Sequence, residues 1–278
     1  NFIKKLYEIA KEQKQKWEVS FMKKKLVLAM AAAMAITSCA VPTFAADDAS
    51  AGGGKIGISM PTQSLERWNR DGSYLEEQFK AAGYDVELTY SDNETDRQVN
   101  DIQNLISDGV NLLVIAAIDG EALNTVMDEA ADAGIPVIIV DRMVDVKDDS
   151  LYTAWVGSNF ELEGKKAAAY LDAYMKAKNM KDMKLVNIQG TIGASAQIGR
   201  TKGLDDAVAA NGWNLLDKTT GEFTQAKGQE VMESFLKQNK DIDVVVAQND
   251  NMAFGAIDAL KAAGKTPGKD VTIISFDA

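Results

Sequence analysis

From residue 55 onward the chain alternates short apolar runs with longer stretches in which apolar residues recur every three or four positions. The short runs, rich in Val and Ile, predict strands at 55–60, 85–90, 112–116, 136–141 and 152–158. Between them the helical period predicts helices at 70–82, 94–107 and 121–133. Gly83, Gly109 and Gly134 fall just past these helices, where a left-handed C-cap favours glycine. Strands that alternate with helices in this way make a parallel sheet with crossover helices.

A second series follows a long helix predicted at 160–178. Its strands are expected at 184–189, 213–219, 243–248 and 271–277, and its helices at 197–210, 225–238 and 252–263. The two series resemble each other. Ala81-Ala82-Gly83-Tyr84 opens a strand–helix–strand unit that ends at Ala116, and Ala210-Asn211-Gly212-Trp213 opens one of nearly equal length that ends at Ala247. A repeat this long predicts two similar α/β lobes, 55–158 and 159–278, with a hinge near Ser158-Asn159. Each lobe closes a late strand on an aspartate, Asp141 and Asp277. Ligands bind outside the carboxyl ends of parallel strands, so both acids are expected to face a cleft. The sequence stops at Ala278, directly after that strand, and the second lobe is expected to be truncated.

The first fifty residues read differently. Residues 1–21 contain no Met, and Trp17-Glu18-Val19 is compatible with a purine-rich ribosome-binding sequence upstream of Met22, so this stretch is read as a non-native or untranslated extension. Residues 22–46 read as a signal peptide: Lys23 to Lys25 give a basic start, and the eleven apolar residues 26–36 are too few to span a bilayer comfortably. Two processing sites compete. Ile36-Thr37-Ser38-Cys39 resembles a lipobox that would leave Cys39 lipidated, while Thr43-Phe44-Ala45 suits ordinary signal peptidase. Either way the protein is expected to be exported, to the periplasm or the outer face of the cell membrane. Residues 47–54 read as a linker ending in Gly52-Gly53-Gly54.

Composition narrows the chemistry. The chain is 46% hydrophobic and 26% charged, as a folded protein requires, with a formal net charge of -11. Residues from 47 onward carry 22 basic and 38 acidic side chains, a net -16, which repels nucleic acid and anionic lipid. There is no histidine, which excludes a Ser-His-Asp triad, and the single cysteine, Cys39, allows no internal disulfide. Gly190-Thr191-Ile192-Gly193 lacks the lysine of a phosphate-binding loop and the third glycine of a dinucleotide turn. Met175, Met180 and Met183 straddle a helix end and form no metal box, so no cofactor and no metal are expected.

What remains suits a neutral polyol. A sugar offers hydroxyls at its ring edge and C–H faces above and below, matched by carboxylates, guanidinium groups, amides and flat aromatics. Glu66-Arg67-Trp68, Asp141-Arg142, Arg200, Phe223, Asn249-Asp250 and Asp277 supply these from strand ends and adjoining loops. Trp68, in a polar loop, is expected to be exposed as a stacking platform. Trp155 and Trp213, within strand patterns, are expected to pack. Asn249 has two readings, a ligand contact or the cap of the following helix, a role also assigned to Asp250.

At these residues the chain, from about residue 55, resembles the type I periplasmic sugar-binding proteins. The first lobe resembles particularly the xylose and multiple-sugar receptors and the second the ribose receptor. Met60-Pro61-Thr62 with Glu66-Arg67-Trp68 is similar to the xylose group's first loop, in which Arg and Trp touch sugar. Ile118-Asp119-Gly120 and Asp141-Arg142 resemble the next two cleft loops, the latter the family's hydroxyl-binding pair. Gly193-Ala194-Ser195-Ala196 with Arg200 resembles the ribose receptor's arginine loop, and Phe223 falls where the family places a stacking aromatic. Ala247-Gln248-Asn249-Asp250 and Ser275-Phe276-Asp277 match motifs whose Asn and Asp contact ligand.

The resemblance implies two Rossmann-like lobes that close on a monosaccharide of the xylose, glucose, galactose or ribose class. It implies a monomer that delivers sugar to an ABC transporter permease, and a chemotaxis or sensor protein as a further partner class. Arg67 and Trp68 lean toward a pyranose. The implied binding set is Arg67, Trp68, Asp119, Asp141, Arg142, Arg200, Phe223, Asn249 and Asp277. Two rivals stay open, an inositol or quorum-signal receptor and a glycosidase using Asp141 and Asp277; a third, a sugar-responsive repressor, fails on the signal sequence, the acidity and the absence of a helix-turn-helix in residues 1–54.

Overall fold

The structure, a computed structural model, describes residues 53–239 and 241–277. The expected extension, the signal segment with Cys39 and most of the linker lie outside the described residues. The first sheet contains β1 (Gly53–Met60), β2 (Tyr84–Tyr90), β3 (Leu112–Ile115), β4 (Val137–Val140) and β5 (Ala154–Val156). Its order is β2-β1-β3-β4-β5, every pair parallel. Helices α1 (Glu66–Ala81), α2 (Thr95–Ser107) and α3 (Asn124–Asp132) connect its strands. After α4 (Phe160–Lys178) the second sheet follows with β6 (Lys184–Gln189), β7 (Asn214–Thr220), β8 (Val244–Ala247) and β9 (Thr272–Ile274), ordered β7-β6-β8-β9 and again parallel. Its crossover helices are α5 (Ser195–Asn211), α6 (Gln225–Gln238) and α7 (Asp250–Ala262).

The residues explain the layers. β3 and β4 are buried at every position, Leu-Leu-Val-Ile and Val-Ile-Ile-Val, because helices cover both faces of a parallel sheet. On one face, Ile102 and Leu105 of α2 and Val126, Met127 and Ala130 of α3 meet Leu113, Ile115, Val137 and Ile139. On the other, Trp68, Leu75 and Phe79 of α1 join Ile56, Ile58 and Val114. The second sheet buries Leu185, Val244 and Val246 against Leu171 and Met175 of α4 and Leu204 of α5. Gly83, Gly109 and Gly134 adopt φ of +87°, +70° and +69°, as their C-cap positions require.

Several expectations shift at their edges. β1 starts at Gly53, inside the stretch read as linker. The strand expected at 152–158 shortens to β5, because Gly157 turns so tightly that a Cβ there would lie 2.4 Å from the Asp141 carbonyl oxygen. Trp155 does not pack inward: it is 38% exposed, and its indole N–H donates to the Asp141 carbonyl at 3.0 Å. The strand expected at 271–277 ends at Ile274, and Asp277 turns away with φ +94°. Asn249, rather than Asp250, caps α7: its Oδ1 accepts from Met252 N at 3.0 Å, while Asp250 accepts from the Ser275 hydroxyl at 2.5 Å.

Candidate functional site

Among the described residues the chain passes once from the first sheet to the second, through Gly157-Ser158-Asn159, and the Asn159 side chain caps α4 by accepting from Leu162 N at 2.9 Å. The carboxyl ends of both sheets then face each other across a shared cavity that opens to solvent. From the first lobe Leu65, Glu66, Arg67, Trp68, Asp141 and Arg142 line it. From the second come Ala196, Arg200, Phe223, Asn249, Asn251 and Asp277.

Local backbone geometry aims these side chains. Asp141, one residue past β4, sits at φ +56°, in the left-handed region that Asp enters more readily than most residues. Its N–H donates to Val156 O at 2.9 Å, and Arg67 Nη2 donates to its carboxylate at 2.7 Å. Arg67 is thereby anchored despite lying half-exposed. Burial works against its charge, but Asp141, then Asp277 and Asp71, raise its pKa overall. Phe223 also lies in the left-handed region, φ +60°, next to Glu222 at +55°. Its ring fills the space that a side chain at position 190 would take: a Cβ on Gly190 would sit 1.9 Å from Phe223 Cζ.

The two buried arginines differ in how they are satisfied. Arg200, 5% exposed, donates through Nε to Glu163 at 2.9 Å, through Nη1 to Gln248 O and through Nη2 to Asp277 at 3.1 Å, with its guanidinium between the rings of Phe160 and Phe276. Arg142, 3% exposed, lies against Trp68 at 5.0 Å and Phe223 at 4.8 Å, one ring from each lobe. Its Nη1 is buried with no hydrogen-bond partner. Loss of solvent lowers its pKa to about 10, against the attraction of Asp141 and with the repulsion of Arg67 and Arg200. Burial likewise pushes the Asp277 carboxyl up, outweighing the pull of Arg200 and Arg67, although its side chain stays 32% exposed.

The structure brings Arg67, Trp68, Asp141, Arg142, Arg200, Phe223, Asn249 and Asp277 to the cavity and leaves Asp119 out of its lining. The Asp119 carboxylate instead accepts from Glu121 N and Ala122 N at 2.9 and 3.2 Å, at the seam where Gly120 meets Gly193 of the other lobe. Trp68 was expected in an exposed loop. It is 3% exposed, because α1 begins at Glu66 and its first turn drives the indole against the core. Asn249 takes the capping reading: its Oδ1 accepts from Met252 N and its Nδ2 donates to Phe223 O, each at 3.0 Å, at the edge of the cavity it lines. Leu65 and Asn251 line the cavity without having been singled out, Ala196 of the arginine-loop motif lines it too, and Glu163 supports Arg200 from α4. For Asn251 the signal was its place on the first turn of the helix that Asn249 caps.

Residues 56–278 match the model of the periplasmic binding protein domain. The chain is 39% identical over 199 residues to the galactofuranose-binding protein YtfQ of Escherichia coli (strain K12), a match covering 70% of this chain and 62% of that protein. It is 31% identical over 222 residues to the ribose import binding protein RbsB of Bacillus subtilis (strain 168), covering 80% and 69%. Among solved structures, one from Mycobacterium smegmatis in complex with β-D-fucofuranose superposes with a TM-score of 0.76 at 31% identity, covering 81% of this chain and 74% of that one.

Proposed function

The chain belongs to the periplasmic binding protein domain family, and from that premise we propose that it binds a monosaccharide between its two lobes and delivers it, outside the cytoplasm, to the membrane permease of an ABC transporter. The observation that carries this reading is Arg142, a buried cation between an aromatic ring of each lobe with Nη1 unpartnered. A buried donor without an acceptor costs about 1–3 kcal/mol, and a sugar hydroxyl entering the cavity supplies the acceptor. Asp141 and Asp277 offer carboxylate oxygens from opposite lobes, and Arg200 is already oriented toward the same space.

The furanose form is the finer part of the proposal. The relatives named for galactofuranose and solved with fucofuranose support it over the pyranose toward which Arg67 and Trp68 lean. Sugar stabilises the closed arrangement only through interactions it makes there and not in the open form, so residues from both lobes must touch it. No bond is made or broken in this reading. Asp141 and Asp277 are each held by an arginine, Arg67 and Arg200, a setting that suits hydroxyl binding.

Calorimetric titration with paired methyl furanosides and pyranosides of galactose, arabinose and ribose tests the proposal. One-to-one binding that favours a furanoside, and that Asp141→Ala weakens, is expected. Absence of binding across the panel contradicts the receptor reading, and release of sugar from the glycosides replaces it with the glycosidase.

A further inference from the structure

We infer that affinity for the ligand is set in part by a latch outside the cavity, in which Gly193 and Ser195 of the second lobe dock on Gly120 and Met143 of the first. The inference rests on the receptor reading above for its consequence, though not for its geometry. Met143 N donates to the Ser195 hydroxyl at 2.8 Å, and Gly120 N donates to the Gly193 carbonyl at 3.2 Å. Both bonds join the two lobes, and none of the four residues lines the cavity.

The positions give this seam leverage. Met143 directly follows Arg142, and Ser195 opens α5, the helix that carries Arg200. The Met143–Ser195 bond therefore ties the backbone beside Arg142 to the start of the helix that carries Arg200. Gly193 adopts φ +86°, and a Cβ there would lie 2.2 Å from Asp119 Oδ2. Closure at this point requires a residue with no side chain. A seam of two hydrogen bonds is small enough to open, since water replaces both partners once the lobes part. Apparent affinity scales with the fraction of molecules in the binding-competent arrangement, so weakening the seam lowers affinity without altering what the sugar touches.

The test has two arms. With no sugar present, single-molecule energy transfer between a dye on each lobe reports the open and closed populations. Ser195→Ala is expected to shift them toward open. In the second arm, stopped-flow binding of methyl β-D-galactofuranoside is expected to weaken about three- to ten-fold, the worth of one hydrogen bond, chiefly through faster dissociation and with the order of preference among sugars kept. Gly193→Ala is expected to weaken it further, and Asp119→Ala, which removes both Oδ2 and Cγ and leaves only Cβ at 3.2 Å, to restore part of the loss. Unchanged populations and rates in Ser195→Ala, or a changed order of sugars, overturn the latch. Should the wild-type chain bind no sugar at all, the receptor reading fails, while the first arm still decides the latch.

Discussion

Both lobes end their second strand on the same turn, two consecutive left-handed residues, and fill it differently. After β2 the pair is Asp92 and Asn93, at φ +51° and +60°, and after β7 it is Glu222 and Phe223, at +55° and +60°. Asp and Asn enter this region readily, whereas Glu and Phe do so at a cost. The first lobe thus uses the turn as a turn. The second uses it to hold an aromatic ring over the cavity, against Arg142 of its partner lobe.

The arginines repeat the contrast. Arg200 is held by Glu163, Asp277 and the Gln248 carbonyl before any ligand arrives, whereas Arg142 retains a buried donor with no acceptor. One lobe presents a finished contact and the other an unfinished one. The helices differ as well. In the second lobe, a Cβ at Gly164 would come within 2.5 Å of Arg200 O and one at Gly255 within 2.1 Å of Gln225 O, so α4–α5 and α6–α7 meet backbone to backbone. In the first lobe the atoms nearest a Cβ at Gly72 of α1 belong to side chains, the Tyr90 hydroxyl at 2.6 Å, Tyr90 Cζ at 3.2 Å and Leu88 Cδ1 at 3.3 Å.

The largest expected effect separates the arginines. Arg142→Met should weaken sugar binding by about 3 kcal/mol, or more than 100-fold, while leaving thermal stability unchanged or higher by about 1 kcal/mol, since it removes an incompletely partnered buried charge. Arg200→Met should weaken binding and also destabilise the fold by about 3 kcal/mol, because Glu163 and Asp277 lose their common partner. Equal stability changes in the two variants would erase the distinction. Next come the glycines: urea unfolding should show Gly255→Ala lowering stability by about 2–3 kcal/mol and Gly72→Ala by about 1 kcal/mol or less.

Much of this organisation was legible in the sequence, for a physical reason. Strand ends in a parallel sheet all point to one edge, so motifs placed there by hydrophobic period, from Asp141-Arg142 to Asn249, converge without further information. What the period does not encode is depth and direction. Trp68 looked exposed because its neighbours Glu66, Arg67 and Asn69 are polar, yet one helical turn buries the indole alone. Asp119 sits at a strand end like the others, but the loop it closes by accepting from Glu121 N and Ala122 N turns it toward the seam. Trp155 does lie in a strand, but β5 is the edge strand of its sheet, and there the indole stays partly exposed with its N–H on the Asp141 carbonyl.

Two smaller effects sharpen the comparison further. Glu222→Gly should stabilise the protein by about 1 kcal/mol by relieving its left-handed backbone, and Asp92→Gly by less, as measured by denaturant midpoint. The smallest expected effect is in pH. The Asp277 carboxyl binds its proton more tightly in the folded protein than in the unfolded chain, so its contribution favours folding below the ordinary carboxylate range and is lost as pH rises through the raised value. Asp277→Asn should flatten that part of the stability–pH curve, and an unaltered curve would remove Asp277 as its source.

The central claim is that Arg142 is the contact a sugar completes between the lobes. A crystal structure of the chain with its tightest-binding furanoside tests it directly. A sugar oxygen within hydrogen-bonding distance of Arg142 Nη1, with the same sugar touching Arg200 or Asn249, is the expected result. A bound sugar that leaves Nη1 without a partner, or that touches one lobe only, would contradict it.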